Sequence, residues 1–127
     1  METFLAIDYG TQRVGLARSY GTLAEPLHIL QNSPSLFTEL QKVIVEQQIT
    51  QIVVGLSENK MAELTQAFVK QLRRYTTLPI EFTDETLSSS SVHQKLHERN
   101  LGKIHHKGPI DHFAAAEFLQ DYIDTYL

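Results

Sequence analysis

The order of its apolar segments is the feature that most restricts how this chain can fold. Five short runs rich in apolar or β-branched residues predict strands, because turn-forming residues or changes of periodicity bound them. Residues 9–12 contain turn-forming types and predict a hairpin between the first two runs. The five predicted strands are Phe4–Ile7, Val14–Ala17, Leu27–Leu30, Gln51–Gly55 and Ile80–Thr83.

Apolar residues at helical spacing predict four helices among and after these strands. Ser33 and Pro34 predict the start of the first helix, as its N-cap and first helical position. Ser88 predicts the cap of the third helix, and a loop over residues 102–108 precedes a last helix over 110–127. The apolar faces of the first three helices contain Leu36, Phe37, Leu40, Val43 and Ile44, then Leu64, Phe68, Leu72 and Tyr75, then Val92 and Leu96.

This order of elements predicts an α/β fold with a mixed five-stranded sheet. Three strands in immediate succession pair as an antiparallel meander, whereas the two later strand–helix–strand crossovers give parallel pairing. Helices are expected on both faces of the sheet. The first, fourth and fifth strands then run in one direction, so their carboxyl ends meet at one edge, where open α/β sheets bind ligands.

Length and composition exclude several classes of protein. A chain of 127 residues is long enough for one domain with one core. The absence of cysteine excludes disulfide scaffolds, thiolate metal sites and cysteine nucleophiles. No apolar run approaches the ~20 residues of a membrane helix, and Met1–Thr3 leads directly into an apolar run, so we expect no signal peptide, no membrane partner and a cytoplasmic location.

The charge balance favours a local nucleic-acid contact over a generally basic surface. The formal net charge is −4, which argues against a protein that coats nucleic acid without specificity. Basic residues nevertheless gather in one segment, which includes only one acid, Glu98. They are Lys95, Arg99, Lys103 and Lys107, accompanied by His93, His97, His105 and His106. The segment is either a solvated helix face followed by a polar loop or a phosphate contact.

Carboxylates occur where the predicted sheet edge would bring them together. Asp8 follows the first strand, Asp84 and Glu85 follow the fifth, and Asp111 lies in the first turn of the last helix. Individually they are also typical of a turn residue, helix-flanking residues and a helix N-terminal charge. Together they favour Mg²⁺ or Mn²⁺, which prefer hard oxygen ligands. Two such ions can activate a water molecule and stabilise the leaving oxygen of a phosphodiester.

Two other interpretations have weaker support in the sequence. Residues 8–11 resemble the phosphate loop of the actin and sugar-kinase ATPases, but those proteins clamp a nucleotide between two domains and this length supplies one. His93 and His97 are four residues apart, a spacing that can hold a transition metal on a helix, although a solvent-facing pair is the more common case and no His-Glu-x-x-His motif is present.

Four motifs, in order along the chain, resemble those of the YqgF (RuvX) family. The first is Ala6–Ala17, which contains Ile-Asp-Tyr-Gly-Thr and resembles the opening segment of the family. The second is Ile52–Leu56. Thr83–Ser88 resembles the family's Asp-Glu-Arg-Leu-Ser/Thr motif, and Lys107–Ala115 resembles its Lys-Gly-x-x-Asp-x-x-Ala-Ala motif. The resemblance covers essentially the whole chain. It departs from the family at Thr86, where the family has Arg, and at residues 57–62, where the family usually has Pro and a Gly-containing loop that we expect to be shortened.

This resemblance implies a single RNase H-like domain over residues 1–127, with strand order 3-2-1-4-5. It implies a metal-dependent endonuclease with a suspected two-metal site of Mg²⁺ or Mn²⁺, acting on structured RNA in the maturation of the 5′ end of pre-16S rRNA. A resolvase of four-way DNA Holliday junctions and a non-catalytic nucleic-acid or ribosome-assembly module are the alternatives. We expect a monomer or a weak homodimer.

The resemblance also assigns roles to particular residues. The family's acidic positions fall on Asp8, on Asp84 or Glu85, and on Asp111, which are the metal-ligand candidates already given; Asp8, Glu85 and Asp111 are the expected catalytic set. The residues expected to bind nucleic acid are Arg13, Lys95, Arg99, Lys103 and Lys107.

Overall fold

A five-stranded mixed sheet carries helices on both faces in the computed structural model, which describes residues 2–57, 59–84 and 111–127. The strand order is β3-β2-β1-β4-β5, which confirms the predicted order. The third predicted helix lies outside the described residues. The elements are β1 (Phe4–Tyr9), β2 (Arg13–Tyr20), β3 (Leu23–Gln31), α1 (Leu36–Glu46), β4 (Gln51–Leu56), α2 (Asn59–Leu72), β5 (Ile80–Asp84) and α3 (Asp111–Tyr126).

The pairing of the strands is also as predicted. β1 pairs antiparallel with β2 and β2 with β3, whereas β1–β4 and β4–β5 are parallel pairs. Consequently β1, β4 and β5 end side by side at Tyr9, Leu56 and Asp84, and we call this side of the sheet the carboxyl edge. The opposite side, where the same three strands begin, is the amino edge.

The sheet has a separate apolar core on each face, because successive side chains of a strand point to opposite sides. On β1, Leu5 and Ile7 pack beneath α1 and α2, whereas Phe4 and Ala6 pack beneath α3. The core beneath α3 is completed from the helix by Ala115, Ala116, Phe118, Leu119, Tyr122 and Ile123. Burial of both faces explains why β1 and β4 are almost wholly apolar rather than alternating.

The start of α1 differs from the prediction. The helix begins at Leu36 with Ser35 as its N-cap, so Ser33 is not the cap and Pro34 is not the first helical position. The amide of Leu36 donates a hydrogen bond to the carbonyl of Ser33 at 3.0 Å and closes a four-residue turn. Pro34 is the second residue of that turn, a position that suits the fixed φ of proline.

The second helix is shorter than its predicted apolar stripe. It ends at Leu72, and the amide of Tyr75 donates to the carbonyl of Leu72 at 2.8 Å in a turn beyond the helix. Leu64, predicted to lie on the apolar face, is 41% exposed, and the neighbouring Thr65 is buried in its place. In the part of the chain that the structure describes, no helix combines the length and apolar character needed to span a membrane.

Helix α3 packs across β1, β2 and β3. Gln120 accepts a hydrogen bond from the amide of Ala24 at 2.9 Å and donates one to the carbonyl of Thr22 at 2.9 Å, which ties it to the β2–β3 hairpin. The ring of Tyr122 meets Phe4 edge-on, with centroids 5.7 Å apart. Both contacts place the C-terminal half of α3 at the amino edge.

The C-terminal half of α3 contains a tyrosine whose pKa is strongly raised. The hydroxyl of Tyr122 donates to a carboxylate oxygen of Glu81 on β5 at 2.5 Å. Burial of the phenol, followed by its hydrogen bond to Glu81, raises the pKa of Tyr122 to about 12. The phenol is neutral at physiological pH, as tyrosine ordinarily is, and its hydrogen bond joins α3 to β5.

Candidate functional site

Asp8 lies at the carboxyl edge on the face that α3 covers. Ile7 packs beneath α1 and α2, and Tyr9 points to the same side, where its ring stacks on Phe68 with centroids 4.5 Å apart. Because side chains alternate along a strand, Asp8 points to the opposite face, as Ala6 does. Its side chain is half-buried there.

Glycines occupy the positions beside Asp8 on both neighbouring strands. Gly15 of β2 is the register partner of Asp8. On the other side, Ile7 pairs with Val54, so the next residue, Gly55, comes level with Asp8. No strand side chain therefore stands beside this carboxylate at its own level. The prediction of the site from the sequence did not use these glycines, because their position relative to Asp8 depends on the register.

Asp84 lies at the same edge but faces the other side of the sheet. On β5, Ile80 packs beneath α1 and α2, and Glu81 reaches Tyr122 on α3. Alternation then turns Asp84, three residues after Glu81, towards the side of α1 and α2. Its side chain is exposed. The structure thus brings Asp8 and Asp84 to one edge but not to one face.

The backbone of Asp111 starts α3 on the face of the sheet to which Asp8 points. Tyr122 contacts Phe4 at the amino edge. From that contact, the 11 helical steps back to Asp111 cover about 16 Å at 1.5 Å per residue. The helix packs on β1, β2 and β3, so its start shares the face of Asp8.

The turn after β1 is held by a residue that the sequence did not single out. The side-chain amide of Asn32 donates to the carbonyl of Gly10 at 2.8 Å, and its backbone amide donates to the carbonyl of Gln12 at 2.9 Å. Arg13 follows this turn as the first residue of β2 and is exposed. Two residues before Gly15, it shares the face of Asp8 by alternation.

We expect Gly10→Ala to destabilise this turn. A Cβ atom at position 10 would collide with the backbone carbonyl oxygen of Arg13, which no side-chain rotation relieves. The substitution should lower the free energy of unfolding by about 1–3 kcal/mol, measured by urea denaturation.

Gly21 provides the matched control, because a Cβ there meets nothing within 4 Å and its φ of +64° is one that asparagine tolerates. Gly21→Asn should therefore cost less than Gly10→Ala. Equal losses in the two variants would contradict the steric explanation.

The remaining candidates are not tested by the described residues. Within 2–57, 59–84 and 112–127, no group of three or more histidine, aspartate or glutamate side chains is arranged to hold a metal ion. Glu85 and the side chain of Asp111 lie outside that part of the chain, as do the basic candidates Lys95, Arg99, Lys103 and Lys107.

Similar proteins of known name extend over almost the whole chain. A protein of Rhodobacter capsulatus is 34% identical over 128 residues, covering 93% of this chain and 80% of its own length. A protein of Syntrophomonas wolfei is 34% identical over 130 residues, covering 94% and 92%. A protein of Sulfurihydrogenibium is 32% identical over 134 residues, covering 98% and 91%. All three carry the name "Putative pre-16S rRNA nuclease".

Solved structures support the fold assignment. RuvC of T. thermophilus in complex with a Holliday junction substrate superposes with a TM-score of 0.64 at 14% identity, covering 98% of this chain and 95% of that one. A second Thermus thermophilus RuvC structure gives 0.59 at 15% identity, with coverages of 97% and 94%. The fold is thus the RNase H-like fold of RuvC.

The family model agrees with both comparisons. The sequence model of the RuvX family, described as Holliday junction resolvase, matches residues 2–125. That match includes every strand of the sheet and the four carboxylate candidates, Asp8, Asp84, Glu85 and Asp111. This chain is therefore a member of the RuvX family of nucleases, as its four motifs indicate.

Proposed function

We propose that this protein is a metal-dependent endonuclease that cleaves structured RNA, in the maturation of the 5′ end of pre-16S rRNA. The observation that carries the proposal is the position of Asp8, on the α3 face of the carboxyl edge and between two glycines. The names of the relatives support pre-16S rRNA as the substrate. We place this activity in one domain over residues 1–127, as a monomer or weak homodimer in the cytoplasm.

Asp8, Glu85 and Asp111 are the proposed metal ligands and catalytic residues. Alternation along β5 favours Glu85 over Asp84, because Thr83 shares the face of Asp8 and Asp84 does not. Asp111 begins the helix that covers this face.

The donor set fits Mg²⁺ or Mn²⁺. It consists of carboxylate oxygens from two strand ends and one helix start, without thiolate, and such hard donors suit these cations. When bound, a pair of these ions supplies an activated water and stabilises the leaving oxygen of the phosphodiester. The protein's part is to hold the carboxylates on a rigid sheet edge, so that the scissile phosphate is oriented before reaction.

Basic side chains are proposed to hold the RNA backbone beside the carboxylates. Arg13 begins β2 on the face of Asp8 and is exposed. Its guanidinium can bind a phosphate through two parallel N–H donors. The other proposed phosphate contacts are Lys95, Arg99, Lys103 and Lys107.

Cleavage of four-way DNA is the second candidate, favoured by the family description of Holliday junction resolvase. A competition assay separates the two. The protein, with Mn²⁺, is incubated with an RNA that carries the 5′ leader of pre-16S rRNA and with increasing amounts of a four-way DNA junction. We expect cleavage of the RNA, its loss in EDTA, and little competition by the junction.

Each contrary result has a definite meaning in this assay. Preferential cleavage of the junction would replace the first proposal by the second. Binding of RNA without cleavage of either substrate, in Mg²⁺ or Mn²⁺, would identify a non-catalytic nucleic-acid module. Cleavage that persists undiminished in EDTA would contradict the metal site.

A further inference from the structure

We propose a second RNA contact at the amino edge, formed by Arg73, Arg74 and Tyr75, that receives a single-stranded flank of the substrate. The proposal rests on the proposed function only in taking RNA as the ligand. The contact is separate from the carboxyl edge and from the basic segment 95–107. Its role is to add affinity for RNA that extends beyond the cleavage site.

The contact surrounds an open pocket of about 460 Å³ between α1 and the segment that joins α2 to β5. Gln41 and Val45 of α1 form one wall. Arg73, Arg74 and Tyr75 form the other, together with residues 76–78. Among the described residues that line the pocket, none is acidic, so two arginines give it a positive charge on a protein whose net charge is −4.

Tyr75 supplies a fixed aromatic surface in this pocket. Its ring stacks on Phe37 with centroids 4.9 Å apart and an interplanar angle of 11°, and the residue is still 41% exposed. The side-chain amide of Gln41 donates to the carbonyl of Tyr75 at 3.0 Å and holds the turn against α1. An exposed ring whose plane is already fixed can stack an unpaired base at little entropic cost.

The two arginines lie where the turn presents them to solvent. Both are exposed, and their amides donate to the carbonyls of Val69 and Gln71, which fixes the backbone after α2. A basic residue near a helix C-terminus also stabilises the helix dipole, but Lys70 already occupies the last turn of α2. Cationic groups beside an aromatic ring are the combination by which proteins bind single-stranded nucleic acid without reading its sequence.

The position of the pocket determines which RNA can use it. It lies directly before β5, whose four steps separate Ile80 from Asp84 at the carboxyl edge by about 13 Å. The pocket lies on the face of α1 and α2, whereas Asp8 lies on the face of α3, so a strand that joins them must also pass to the other face of the sheet. The path is therefore longer than about 13 Å, which is more than four nucleotides at the duplex advance of about 3.4 Å each. A single-stranded tail longer than this can extend from the cleavage edge to the pocket.

The test compares two RNA hairpins with the same duplex, one blunt and one with an oligouridylate tail of about 15 nucleotides, within the range of known single-strand sites. The affinity for each hairpin is measured by fluorescence anisotropy without added metal, so that the RNA is not cleaved during the measurement. In the unmodified protein the tail should tighten binding about tenfold or more. In R73Q/R74Q the tail should lose most of this advantage, while the affinity for the blunt hairpin stays unchanged.

Two further variants separate the parts of the contact. Tyr75→Leu keeps an apolar group against Phe37 and should reduce the tail advantage through loss of stacking. K42Q/K70Q is the matched control, since it removes the same number of positive charges from α1 and α2, at residues that do not line the pocket. It should retain most of the tail advantage. The salt dependence of tailed-RNA binding should fall by about 1.4 units of slope in R73Q/R74Q.

The outcomes are independent of whether the protein cleaves RNA. A tail advantage that persists in R73Q/R74Q, in a protein whose thermal unfolding is unchanged, overturns the proposal. An equal loss in K42Q/K70Q also overturns it, because the effect would then be one of net charge. Lower thermal stability of R73Q/R74Q with unaltered RNA binding would show that the arginines serve only the helix end.

Discussion

Replacing Asp8 with asparagine is expected to reduce RNA cleavage by at least about a hundredfold while leaving the fold intact. Asp8 is the proposed ligand nearest the centre of the sheet. The side-chain amide of asparagine cannot supply the negative charge with which a carboxylate binds a divalent cation. Loss of several kcal/mol of transition-state stabilisation corresponds to a rate decrease of this size. Single-turnover cleavage with Mn²⁺ measures the effect, and thermal unfolding in EDTA checks the fold.

Asp84 provides the matched control for this prediction. It lies at the same edge of the sheet but on the other face, so Asp84→Asn should retain most of the cleavage rate. Glu85→Gln should lose cleavage activity as Asp8→Asn does, because Glu85 is the proposed metal ligand that follows β5. Loss of cleavage in Asp84→Asn but not in Glu85→Gln would show that Asp84, and not Glu85, completes the site.

Phe118→Ala is expected to lower the free energy of unfolding by about 3–5 kcal/mol. Phe118 is 1% exposed in the core beneath α3, and its removal leaves a cavity between the helix and the sheet. A loss of this size is a large share of the 5–15 kcal/mol that stabilises a typical domain. Because α3 also positions Asp111, cleavage should fall at temperatures where the variant is still largely folded. Denaturant unfolding and cleavage assays together measure both effects.

Phe113 is the control for that substitution. It lies on the same helix and is 40% exposed, so Phe113→Ala removes the same group from a site that water already reaches. We expect a much smaller loss of stability. If both variants lost stability equally, the buried core beneath α3 would not be what holds the helix.

Most of the fold follows from the sequence because the connections leave few topologies. Short turns force the first three strands into antiparallel pairs, and each crossover helix forces parallel pairing. The errors occur where a local signal competes with packing. Pro34 is predicted as the first residue of α1 but lies in the turn before it. Tyr75 continues the helical spacing of apolar residues, although α2 ends at Leu72.

The candidate site was less predictable, since it depends on register. From the sequence, Asp84 and Glu85 are equivalent followers of a strand, yet a shift of one residue moves a side chain to the other face. Neither the pairing of Gly15 with Asp8 nor the hydrogen bond from Asn32 to Gly10 follows from local patterns. Both are long-range contacts that become visible only when the strands are aligned.

The attachment of α3 to the β2–β3 hairpin has a consequence for biosynthesis. Gln120 bonds to Ala24 and Thr22, 96 and 98 residues away in the chain. During translation all five strands of the sheet are made before α3, the helix that packs on Phe4, Ala6, Ala17 and Val53. Long-range contacts of this kind slow folding and expose nascent chains to aggregation. The proposed active centre, which includes Asp111 of that helix, is therefore completed only after α3 has been synthesised and has packed on the sheet.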